Sequence, residues 1–90
     1  MIKLNNLNEA SEIEMNELKP TEQKQVQAFA KIVGGKIVTI WSGIHGKIVD
    51  IEADGNFGSG YRWDANTLKK LIALKIRWVE ADGDNLSIAF

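Results

Sequence analysis

KIRWVEADGDNLSIAF, residues 75–90, carries the cleanest two-residue period in the chain. Leu86, Ile88 and Phe90 fall on one side, with Ser87 and Ala89 on the other. Ile76 and Trp78 oppose Arg77 in the same way. Such alternation belongs to strands with one buried and one wet face. Asp82-Gly83, between the two runs, is a hairpin dipeptide. The chain is therefore expected to end in an antiparallel hairpin, with Ile76 and Trp78 facing the core.

Upstream, the same vocabulary recurs. KIVDIEADGN at 47–56 matches KIRWVEADGD at 75–84 at six of ten positions, and GKIV occurs at both 35–38 and 46–49. The echo reads as one strand-and-turn design used twice, either by duplication or because Ala-Asp-Gly is simply a good turn. Strands are expected near 36–41, 47–53, 60–63, 75–81 and 85–90. Two helices are expected at 21–33 and 65–74. In the first, Val26, Phe29, Ala30 and Val33 share one helical face, Thr21 caps the start, and Gly34-Gly35 ends it. In the second, Asp64 caps and Leu68, Leu71 and Ile72 form the buried side. The fold class is α+β: an antiparallel sheet of four or five strands with both helices on one face. An SH3-like small β-barrel with the second helix inserted is the alternative.

Residues 1–19 fit neither period, and Leu4, Leu7, Ile13 and Leu18 are scattered among Asn and Glu. They read as a flexible acidic arm ahead of a single domain at 20–90, with Pro20 as punctuation. Over residues 1–30, Glu9, Glu12, Glu14, Glu17 and Glu22 outweigh Lys3, Lys19 and Lys24. The whole chain has net charge −1, so the basic excess of a duplex DNA binder is missing. No apolar run approaches a membrane span. With no cysteine and one histidine, disulfide and thiolate-zinc chemistry are excluded and a catalytic zinc is disfavoured. No metal or cofactor is expected. The lack of cysteine fits a reducing cytosol, and a cytoplasmic protein is the expectation.

No catalytic constellation emerges. Glu52, Asp54 and Asn56, and again Glu80, Asp82 and Asp84, place oxygens two apart, but without calcium-loop spacing they read as hairpin turns. His45 lies in a turn three residues from Ser42, but spacing in a turn says nothing about aim, and it reads as an exposed turn histidine. Gly55, Gly58 and Gly60 lack the phosphate-loop pattern. An enzyme is not expected. Three tryptophans in 90 residues is a high count. Trp78 reads as core and Trp41 lies in a run apolar on both faces. Phe57, Tyr61, Arg62 and Trp63, beside a Gly-rich loop, are the candidate binding residues, able to stack on a partner.

The segment closing on Val33-Gly34-Gly35, acidic and helix-prone with Phe29 and Ile32 ahead of it, resembles the double-glycine leaders of exported bacterial peptides. That resemblance covers residues 1–35 and implies a mature product starting at Lys36. The expected function is a small non-enzymatic protein–protein interaction module whose partner is another protein or a second copy. Two alternatives stand beside it: the exported peptide, and a weak single-stranded nucleic-acid binder using Tyr61, Arg62 and Trp63.

Overall fold

A computed structural model describes residues 10–44, 46–52 and 65–90. Among these residues, five strands form one antiparallel sheet: β1 (Ala10–Ile13), β2 (Lys36–Gly43), β3 (Gly46–Glu52), β4 (Trp78–Asp82) and β5 (Asn85–Ala89). The order across the sheet is β1-β2-β3-β5-β4. Two helices, α1 (Pro20–Val33) and α2 (Ala65–Ala73), complete the α+β architecture. No helix among the described residues is long and apolar enough to cross a membrane. The five strands are not the five expected from the sequence. The strand expected at 60–63 lies outside the described residues, as do Asp64 and the turn at Asp54-Gly55. β1 takes the fifth place.

β1 corrects the reading of residues 10–19 as a flexible arm. Ile13 pairs with Ile40, and the run continues through a 3₁₀ turn (Met15–Glu17) to Leu18, which is only 4% exposed. A four-residue strand with a single apolar residue of inward parity, Ile13, shows no period in sequence. It forms because β2 offers it an unpaired backbone edge.

The strand register sorts the side chains. One row runs Ile13, Ile40, Val49, Ile88, Val79, and the next runs Ile37, Ile51, Leu86, Ala81. These face the helices and form the core with Val26, Phe29 and Val33 of α1, Leu71 of α2, and Leu18. Phe29 meets Phe90 edge-on, ring centres 5.8 Å apart. Ile37 and Ile40 are three residues apart and would face opposite sides of a regular strand. A bulge lets both point inward: Ile37 pairs with Ile51 but Thr39 with Asp50, so Val38 is the extra residue and is left exposed.

β4 corrects a second expectation. It begins at Trp78, not at Lys75, which takes a left-handed φ of 62° at the end of α2. Val79 and Ala81 therefore face the core, and Trp78 faces away, 41% exposed. The hairpin loop is Gly83-Asp84, closed by Asp82 opposite Asn85. Gly83 has φ 64° at the first loop position, where a tight hairpin needs glycine. The echo does not place its copies equivalently. Against β5, Ile51 and Ala81 share Leu86 as partner, an offset of 30 rather than the 28 of the sequence match.

In α2 the buried side is narrower than expected: Leu71 is fully buried, but Leu68 is 38% and Ile72 66% exposed. The helix is short and lies against α1, so one side chain's width enters the core. In α1, Lys19 rather than Thr21 is the N-cap residue, because Pro20 supplies the preset φ of the first helical position. Glu22 replaces the missing hydroxyl cap. Its Oε1 accepts the Lys19 backbone N–H at 3.0 Å, and its Oε2 pairs with Lys47 Nζ at 3.1 Å, tying α1 to β3.

Those contacts hold the Glu22 carboxyl below its ordinary value of 4.5, chiefly through the Lys19 N–H bond; partial desolvation opposes this, and Lys47 adds to it. A carboxylate with a depressed folded-state pKa stabilises above its unfolded pKa, and that stability is lost as pH falls through the folded value. Glu22→Gln is expected to cost a few tenths to about 1 kcal/mol at neutral pH, the range of a lost cap. It should also flatten the acid limb of the stability curve below about pH 4.5. Urea unfolding across a pH series reads both effects, and parallel curves for variant and parent would contradict them.

Candidate functional site

The sheet has a second face, turned away from both helices. Its side chains follow from the same register. Glu12, Trp41, Ile48, Ala89 and Trp78 form one row across all five strands. Thr39, Asp50, Ser87 and Glu80 form the next. Lys36, Glu52 and Asn85 follow. A two-residue period with a packed opposite face obliges every second residue to appear here.

The first row is apolar over four strands. Trp41 and Ile48 are half-buried, Ala89 is fully buried, and Trp78 stands exposed at the β4 edge. The two tryptophans are three strand spacings apart, about 14 Å between backbones. Between them Ile48 is half-buried and Ala89 has no exposed surface, so the tryptophans and Ile48 supply the accessible apolar area of the row.

Asp50 lies near the centre of the adjoining row. Its Oδ2 accepts the Trp41 indole N–H at 2.9 Å, and its Oδ1 accepts the Ser87 hydroxyl at 2.6 Å. Two donors from strands on either side of β3 fix the orientation of this carboxylate. Each of its oxygens keeps accepting capacity, because an ionised carboxylate offers about four lone-pair sites. Ser87 Oγ and Asp50 contact each other with no imidazole among the described partners, so the pair holds an orientation rather than activating a nucleophile. The arrangement is suited to receiving donors beside an aromatic surface.

A groove of about 600 Å³ runs between α1 and the end of α2, lined by Thr21, Lys24, Gln25 and Ala28 and by Ala73, Leu74 and Lys75. Gln25 Nε2 donates across it to the Leu74 carbonyl. Among the described residues, Thr21 is its one hydroxyl and no carboxylate or imidazole lines it. Among the described residues, no three His, Cys, Asp or Glu side chains gather to hold a metal ion.

The sequence candidates Phe57, Tyr61, Arg62 and Trp63 lie outside the described residues, as does His45. Ser42 pairs with Lys47 at the far end of the β2–β3 hairpin. Trp41 and Trp78, assigned to the core or to a two-sided apolar run, share the helix-free face instead. A signal for this was present. Trp78 has the parity of Glu80, and Ile48 has the parity of Asp50 and Glu52. A charged residue two positions along a strand marks the wet side. Compared with protein-family models, with curated proteins and with solved structures, the chain matches none of them.

Proposed function

We propose that this protein is a non-enzymatic protein–protein interaction module that binds through the helix-free face of its sheet. The observation that carries the reading is the row Trp41, Ile48, Ala89, Trp78, an apolar strip ending in a tryptophan that is 41% exposed. Tryptophan is enriched among the few residues that dominate binding energy at interfaces. Fixed polar groups beside an apolar strip are the usual makeup of a specific interface. A cytoplasmic setting, which the lack of cysteine fits, belongs to the same proposal.

The two alternatives have less support. Single-stranded nucleic acid would meet a face whose charges are mostly carboxylates, and phosphate contacts need the opposite sign. Export with a double-glycine leader would cut after Gly35. That would remove β1 and α1, and with them Val26, Phe29 and Val33 from the core.

The test is affinity capture from the native source with three baits: the parent, Trp78→Ala, and Lys24→Glu, which lies in the groove between α1 and α2 and away from the proposed face. The parent and Lys24→Glu are expected to retain the same partner. Trp78→Ala is expected to lose about 2 kcal/mol or more of its binding energy. Equal capture by all three would remove the face as the interface.

A further inference from the structure

The helix-free face can be given a partner class, an inference that rests on its being an interface. We infer that it receives a cationic segment of a partner protein, with an arginine or lysine side chain over Asp50 and against the tryptophan row.

The charge on the face selects this occupant. Among the described side chains, the strand register gives it Glu12, Asp50, Glu52 and Glu80 against Lys36, four acids to one base and a net charge of −3 over these five. Asp50 is the focus. It is half-buried, its aim is fixed by Trp41 and Ser87, and its remaining lone pairs have no cationic partner among the described residues. The nearby base on β3, Lys47, has inward parity and is already paired with Glu22. A carboxylate held in place before binding loses little freedom when a donor arrives.

The tryptophans add a second attraction for the same chemistry. An indole face attracts a cation through its quadrupole, and Trp is the best aromatic for this. Arginine fits better than lysine, since its planar group can stack on an indole and make two parallel bonds to a carboxylate. Other occupants meet opposition. A phosphate backbone is repelled by the net charge. A second copy related by a two-fold axis would set this acidic face against itself.

The experiment titrates the full chain with a short arginine-rich peptide, its arginine-to-citrulline counterpart and a glutamate counterpart. Binding is followed by calorimetry and tryptophan fluorescence at low and physiological ionic strength. Saturable one-to-one binding of the arginine peptide is expected, with a change in tryptophan emission and weakening by salt. Citrulline replacement and Asp50→Asn should each weaken it about tenfold or more, the loss expected for a charge-assisted bond. Glu80→Gln, at an exposed position, should weaken it less and guards against an Asp50 variant that folds poorly. Equal binding of the citrulline peptide, or binding that survives Trp78→Ala unchanged, overturns the inference. If no arginine peptide binds while Trp78→Ala still loses its captured partner, the face is an interface for another chemistry and this inference alone fails. If a single-stranded oligonucleotide binds instead, or self-association buries Trp78, the cationic segment is the wrong occupant.

Discussion

Phe29→Ala is expected to leave this protein largely unfolded at moderate temperature. Phe29 has no exposed surface, and it is the largest of the fully buried side chains. It sits on α1 between Val26 and Val33, where the helix meets the sheet, and its ring edge rests on Phe90. Truncating a buried phenylalanine typically costs about 3–5 kcal/mol, the transfer term plus the cavity left behind. A chain of this length has roughly 4–13 kcal/mol in total, and small domains lie toward the low end. Each kcal/mol moves the melting midpoint of such a domain by about 4–8 °C. A fall of more than about 10 °C by circular dichroism is therefore expected. Phe90→Ala should cost less, because Phe90 is only partly buried. If Phe29→Ala melted within a few degrees of the parent, α1 would not be the lid of the core.

The residues that make the core were mostly visible in the sequence. The helical spacing of Val26, Phe29 and Val33 and the alternation of Leu86 and Ile88 are local patterns, and local patterns are what periodicity reads. Local pattern is silent where the deciding contact is remote. β1 depends on an edge that β2 supplies, and nothing within Ala10–Ile13 announces it. The bulge at Val38 depends on a partner strand. Alternation counted from Ile76 puts Trp78 in the core, whereas the left-handed Lys75 delays the strand until Trp78. The parity of Glu80 puts Trp78 on the wet face. The candidate site was less legible than the fold. Asp50 draws its significance from Trp41 across one strand boundary and Ser87 across another, and Ser87 is 37 residues away in sequence. No spacing rule joins three residues on three strands. The register joins them, and the register is a property of the folded sheet.

Gly35→Ala is the second substitution expected to have a large effect, and it separates two kinds of glycine that sit side by side. Gly34 has φ 74° with nothing within 4 Å of where a Cβ would lie. Its role is conformational: it ends α1 in the left-handed region, and its N–H bonds to the Ala30 carbonyl. An alanine there costs about 1–2 kcal/mol of backbone strain without touching anything. Gly35 has the opposite problem. A Cβ there would lie 2.5 Å from Ile51 Cγ2 and 2.8 Å from the Glu52 carbonyl oxygen. Ile51 is fully buried, and Glu52 O is main chain, so neither can swing aside as a surface side chain would. The substitution must spread the start of β2 from the end of β3, where Lys36 pairs with Glu52. Overpacking of this kind costs about 1–3 kcal/mol, and here it also threatens the ladder pairs next to it. Gly35→Ala should therefore destabilise at least as much as Gly34→Ala, although only Gly34 has an unusual backbone. The contact origin can be isolated. In the Gly35→Ala/Ile51→Ala pair, removing Cγ2 relieves part of the clash, so the double variant should lose less than the sum of its singles. Strict additivity in urea unfolding would mean that the two residues do not press on each other and that the close approach of β2 to β3 is not what requires glycine at 35.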